Sequence, residues 1–289
     1  MNFILYYIFL LPLSYLPFGV LYVISDALNF ILFNVIGYRK KVIEQNINNS
    51  FPELSEKEKK DIAKKFQSHF CDLLVESIKT FSISEKDAFN RLHCKNPEVV
   101  NHFFEQGRHV VMVGGHYNNW ELYAVALKNH LKHQPFAIYK SLSNNFFDEK
   151  MRETRSKHGL NLISMKLTKK YFEEIEDVPR GIIFVSDQSP SNPKKAYWTT
   201  FLNQETGVQF GVEKYAKEFN WPVIYGELRK IKRGFYEVEY YVVCENPNEF
   251  AYGKITELHT QLLEQTIKKA PQYWLWTHKR WKHKRPENV

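Results

Sequence analysis

The stretch that decides the fold is "VVMVGGHYNNWEL", Val110 to Leu122. An apolar run ends in two glycines, and a histidine, two asparagines, a tryptophan and a glutamate follow. A short, continuously apolar run fits a strand buried on both faces. The polar residues after it read as a turn that opens a helix, placed from Asn119 to Leu131. Asn118 serves there as N-cap, which puts Glu121 at the third helical position. The same alternation continues down the chain. "PFAIYK" (135–140), "LNLIS" (160–164), "GIIFVSDQ" (181–188), "PVIYGELRK" (222–230) and "FYEVEYYVV" (235–243) read as strands. Helical spacing predicts helices over 97–105, 144–158, 168–176, 208–219 and 252–269. Upstream, Ser55 with Glu58 forms a capping box, and Ile62, Phe66, Phe70, Leu73, Leu74 and Ile78 mark one apolar helical face. Strands alternating with helices call for an α/β fold, a mostly parallel central sheet flanked by helices. No internal repeat or low-complexity linker divides the chain.

The first 38 residues carry one charged side chain, Asp26. A helix of ~20 apolar residues crosses a bilayer core. Residues 1–36 therefore read as a membrane anchor segment and 37–289 as the folded domain. There is no basic leader and no small-x-small site, so cleavage as a signal peptide is not expected. Arg39, Lys40 and Lys41 follow at once, which leaves the domain in the cytoplasm. Pro12, Pro17 and Gly19 permit a second geometry, a helical hairpin lying in one leaflet. A pair of core helices has the same composition.

The balance of 40 Lys+Arg against 32 Asp+Glu gives a net charge of +8, which favours an anionic partner. The aromatics sit in core-like patterns and no nucleic-acid module is visible, so a nucleic-acid partner is not expected. Lys279, Arg280, Lys282, Lys284 and Arg285 cluster beside Trp274, Trp276 and Trp281, a mixture that suits a headgroup layer. Cys71, Cys94 and Cys244 are widely spaced and give no disulfide framework. His130 and His133 lack a third ligand, so no metal is expected.

In a parallel sheet, functional residues collect where strands end and loops leave for the next helix. Two strand ends qualify. One leads to Gly114, Gly115 and His116, the other to Ser186, Asp187 and Gln188. On a single helix His116 and Glu121 would be ~500° apart and face different ways. They meet only if His116 lies in the turn before the helix. A carboxylate beside imidazole fixes its tautomer and raises its basicity, which makes a general base. The two glycines would let backbone amides approach a substrate oxygen. Asp187 has three readings: a turn cap, a group that positions the acceptor, or a partner for Arg155.

His-x4-Glu after "GGH" resembles the signature of glycerolipid-type acyltransferases. "YRKKVIEQNINNSFPELSEKE", "IYKSLSNNFFDEKMRETRSKHG", "FVSDQSP" and "PQYWLWTHKRWKHKRP" are similar, in order, to blocks of the bacterial lipid A biosynthesis late acyltransferase family, over residues ~37 to 286. The resemblance implies an acyltransferase with His116 as catalytic base and Glu121 as its orienting partner. Arg155 would help hold the acyl donor or an anionic headgroup, and Asp187 would line the site. Gly115, Asn118 and Gln188 are expected to line the substrate site with them. The donor would be a thioester of acyl carrier protein or coenzyme A, and the acceptor a lipid hydroxyl at the cytoplasmic face of the inner membrane. An aminolipid or a lysophospholipid is an alternative acceptor. No cofactor is implied. Two departures stand out. Lys140 stands where many members have arginine, and the loop Ser191 to Thr200 has no match.

Overall fold

The computed structural model describes residues 2–174 and 178–287. Its centre is a seven-stranded sheet in the order β1-β9-β8-β2-β5-β3-β4. The strands are β1 (Leu92–Cys94), β2 (Val110–Gly114), β3 (Gln134–Tyr139), β4 (Asn161–Ser164), β5 (Arg180–Val185), β8 (Val223–Lys232) and β9 (Phe235–Cys244). Pairing is parallel throughout except between β8 and β9, which form a long hairpin. The remaining pair, β6 (Ala196–Phe201) and β7 (Gln204–Gln209), is a separate antiparallel hairpin. β6 falls largely in the stretch 191–200 that matched no block, and β7 takes Val208 and Gln209 from the predicted helix over 208–219, which begins at Gly211. The hairpin's two turn residues, Leu202 and Asn203, both have positive φ, the geometry of a tight hairpin turn.

The apolar run of β2 explains its central place. Val111 and Val113 face one core layer, with Val212, Ile255 and Leu263. Val110 and Met112 face the other, with Leu122, Val125 and Ile183. Helices Gly211–Phe219 and Lys254–Lys269 contribute to the first layer, and helices Glu98–Glu105 and Trp120–Ala126 to the second. The helix after β2 stops at Ala126 and tightens into a 3₁₀ turn, Leu127–Asn129, instead of running to Leu131. The predicted helix over 168–176 is described as Thr168–Glu173, and its last two positions lie outside the described residues.

The chain begins with an apolar helical segment, Asn2–Tyr15, broken at Leu16 and Pro17. A second, Phe18–Val35, is long and apolar enough to cross a membrane, with mean hydropathy 1.7 and 17% of it buried. It does not stand clear of the domain. Tyr22 donates to Glu76 Oε1 (2.9 Å), Ser25 to Asp72 Oδ1 (2.8 Å), and Asp26 pairs with Arg233 (2.6 Å). These contacts dock one face of the segment on the long helix Glu56–Lys79 and on the β8–β9 turn.

Candidate active site

Strand register builds the site. Gly114 of β2 lies opposite Val185 of β5, so the residues two positions on, His116 and Asp187, leave the sheet side by side. β2 is flanked by β5 and β8, so the loops after β2 and β5 border the crevice where the order of parallel strands reverses. Asp187 Oδ1 is 2.7 Å from His116 Nδ1, and its Oδ2 accepts the His116 backbone N–H at 2.9 Å. Trp274 Nε1 donates to the same Oδ2 at 2.8 Å. Burial alone would raise the Asp187 carboxyl pKa. The facing imidazole, with the hydrogen bonds from His116 and Trp274, outweighs burial and holds it below the usual carboxylate value. An ionised Asp187 accepts a proton-bearing Nδ1 and leaves Nε2 as the basic nitrogen. Gln188 Nε2 lies 3.3 Å from that Nε2.

This arrangement corrects two expectations. The carboxylate bonded to His116 Nδ1 is Asp187, where Glu121 was expected. Glu121 turns instead to Arg155 on helix Asn145–Ser156, which donates from Nε (2.9 Å) and from a terminal nitrogen (2.6 Å). A fork-to-fork pair of this kind satisfies both carboxylate oxygens. Burial by itself would lower the Arg155 pKa, but the Glu121 carboxylate outweighs it and holds the guanidinium above its ordinary value. Arg155 is thus Glu121's partner and not Asp187's.

The second correction concerns the cap. Asn119, not Asn118, caps helix Trp120–Ala126, accepting from Leu122 N at 2.8 Å. Asn119 is itself held by Glu76 Oε2 at 2.6 Å. Asn118 takes a left-handed conformation (φ 54°), which asparagine tolerates, and donates to the Leu228 carbonyl at 2.7 Å. It is fully buried beneath the loop. Gly115 matters for packing: a Cβ there would stand 3.0 Å from both Leu263 methyls and 3.3 Å from Asp187 Cβ. The His116 backbone amide is committed to Asp187.

The C-terminal arm, read from sequence as a headgroup-facing cluster, supplies much of this support. Trp274, Trp276 and Arg280 are buried, whereas Lys279, Lys282, Lys284 and Arg285 stay exposed. Leu275 N donates to the His116 carbonyl, Asn118 N to that of Tyr273, and Tyr117 bridges to Trp274. His278 Nε2 accepts from Ser189 N at 3.1 Å, and burial pushes its pKa down to about 4, so it is a neutral acceptor. No spacing rule could have linked Trp274 to an aspartate 87 residues away.

His116, Glu121, Arg155, Gly115 and Gln188 all line one cavity of about 1130 Å³. Asp187 lies behind His116, with 2% of its side chain exposed against 21% for the histidine. Below helix Trp120–Ala126 the cavity runs over apolar residues, among them Met112, Ala124, Leu160, Leu162, Ile183 and Leu228. Lys140, Lys282 and His283 also border it. Among the described residues no cluster of His, Cys, Asp or Glu could hold a metal ion.

A mostly parallel sheet with a histidine–carboxylate pair at its carboxyl edge, opening on a largely apolar cavity, has the arrangement of an α/β enzyme's active site. The chain matches the model of the bacterial lipid A biosynthesis acyltransferase family over residues 1–283, and it belongs to that family. It is an acyltransferase, and the family implies an acyl donor and a lipid acceptor. No curated protein matches the chain.

Proposed function

We propose that this enzyme moves a fatty acyl chain from a thioester of acyl carrier protein or coenzyme A to a hydroxyl of a lipid acceptor in lipid A biosynthesis. The observation that carries the reading is His116. Its Nδ1 is fixed by a buried aspartate, and its ring lines a cavity with a long apolar arm. Nε2 takes the acceptor hydroxyl proton as that oxygen attacks the thioester carbonyl. The tetrahedral oxyanion collapses and expels the thiolate, which recovers the proton from His116. The Gln188 amide is the side-chain donor nearest to Nε2 and serves the developing oxyanion. The apolar arm takes the acyl chain. Glu121 and Arg155 form the cavity wall by holding helix Trp120–Ala126 to helix Asn145–Ser156, and Gly115 and Asn118 shape the loop that carries His116.

Residues 1–36 act as the anchor and 37–289 as the catalytic domain, on the cytoplasmic face of the inner membrane. One observation favours an anchor lying along one leaflet over one that spans. Tyr22, Ser25 and Asp26, in the middle of the apolar segment, bond to Glu76, Asp72 and Arg233 of the domain. A spanning helix would carry these polar partners into the bilayer core, where they are costly.

The test uses the full chain in detergent micelles with an acyl thioester and a lipid A precursor, with products read by mass spectrometry. His116→Ala is expected to lower turnover by ~2–4 orders of magnitude. Near-normal turnover by a folded variant removes His116 from the chemistry. Acylation of a lysophospholipid or an aminolipid in place of the precursor reassigns the acceptor.

A further inference from the structure

Against Asp187, and bordered like the large cavity by Val113, Gly114 and Ser186, lies a second and much smaller one of about 10 Å³ that His116 does not line. Its wall includes Asp187, Ser186, Tyr225, His259, Thr260 and Arg280. That is room for one water and nothing larger. Arg280 is 2% exposed and His259 3% exposed. One terminal nitrogen of Arg280 donates to Thr206 Oγ1 at 2.6 Å. Its Nε has no protein partner among the described residues, and neither does His259 Nε2. Both residues border the same water-sized hole, and a water held there would satisfy two buried polar atoms that are otherwise unpartnered. Arg280 also forms no ion pair among those described. Burial draws its pKa down to about 10, and the opposing charge named beside it is Asp187.

We infer that Arg280 is a positioning residue for the His116–Asp187 pair, acting on Asp187 through one water held in this cavity. The inference rests on His116 being the base. The guanidinium Nε–H donates to the water, and His259 Nε2 and the Asp187 side chain supply acceptors. His259 is neutral in this role, since burial draws its pKa down to about 3. A fixed positive charge near Asp187 favours the carboxylate and so holds the Nδ1–H tautomer of His116. The other titratable groups near the pair are Tyr225 on β8, His259 on helix Lys254–Lys269, and His278, Lys282 and His283 on the C-terminal arm. Glu121 and Arg155 face it as a neutralised couple. Of all these, Arg280 is the buried cation on the Asp187 side.

The charge has a readout that packing lacks. Removing a cation makes protonation of the pair easier, so the acid limb of kcat/KM moves to higher pH. Arg280→Met and Arg280→Gln are expected to raise that limb by about one pH unit and to lower kcat more than they raise either KM. Thr206→Val keeps the charge and removes only a bond to it, so its limb stays at the wild-type pH. A folded Arg280→Met or Arg280→Gln enzyme with an unmoved limb overturns the inference, as does a Thr206→Val limb that moves with them. A high-resolution crystal structure of the unaltered enzyme tests the water directly. One ordered water within hydrogen-bond distance of Arg280 Nε is expected, and an empty cavity overturns it. Activity in folded His116→Ala would instead overturn the base assignment, whatever Arg280 does.

Discussion

Asp187 and Glu121 are both buried carboxylates at the carboxyl edge of the sheet, and each is matched to one basic side chain. The matches differ in kind. Asp187 faces an imidazole, which can give up its proton near neutral pH. Glu121 faces a guanidinium, which cannot. The first pair is therefore suited to proton transfer and the second to holding two helices together. Sequence distance points the other way: Glu121 lies five positions from His116, and Asp187 lies 71 away. Proximity along the chain was the poorer guide because His116 precedes its helix and its ring turns to the neighbouring strand end.

Five substitutions probe that contrast, from the largest effect to the smallest. Asp187→Asn keeps the shape but no longer favours the Nδ1–H tautomer of His116, and it should cost about 10³–10⁴-fold in kcat, as in other histidine–aspartate pairs. It also has a pH signature. The folded carboxyl pKa lies below the unfolded value, so the pair contributes stability at pH above ~4 and loses it as pH falls through the lowered value. Melting curves of the wild type should show that acid loss, and Asp187→Asn should flatten it. An Asp187→Asn enzyme of wild-type kcat would erase the distinction between the two carboxylates.

Glu121→Ala should show its effect mainly in stability. It leaves Arg155 without its partner, at a cost of about 1.5–3 kcal/mol, the range for a hydrogen bond to a charged group. Denaturant titration should find this loss, and Arg155→Ala should add little to it, because the two act as one unit. Full additivity would mean that each side chain acts alone. Trp274→Phe removes one of three donors to Asp187. A bond worth about 1–1.5 kcal/mol corresponds to roughly tenfold in kcat. Steady-state kinetics with KM unchanged would place the loss on the pair, whereas a rise in KM alone would place Trp274 on a substrate instead. The smallest effect is expected from Tyr22→Phe. Glu76 keeps Asn119 and Tyr236, so about 0.5–1.5 kcal/mol of stability is lost with little change in turnover. A large drop in kcat there would show that the N-terminal apolar segment is coupled to the loop that carries His116.

Much of the architecture was legible in the sequence. The apolar runs of β2 and β5 could pack only as strands covered on both faces, and the helical periods between them imposed parallel crossovers. The glycine pair, His116 and Asp187 were singled out because they follow such strands. The β6–β7 hairpin was missed although "AYWTTF" (196–201) carries the aromatic and β-branched residues of a strand; its partner "QETGVQ" (204–209) is polar, holds Gly207 and gives no such signal. The cap was placed one residue early because two asparagines stand side by side, and nothing local says which of them takes the left-handed conformation.

The sequence by itself determined the α/β class, the burial of β2 on both faces, the apolar N-terminal segment and the two strand ends that carry His116 and Asp187. These follow from periodicity, which is a property of neighbouring residues. Only the tertiary structure decided which carboxylate holds His116, that Arg155 answers Glu121, and that Trp274, His278 and Arg280 are interior supports instead of a surface cluster. Those outcomes depend on strand order and register and on the path of the C-terminal arm. Such contacts join residues 34 to 159 positions apart, and no local pattern encodes a distance of that length.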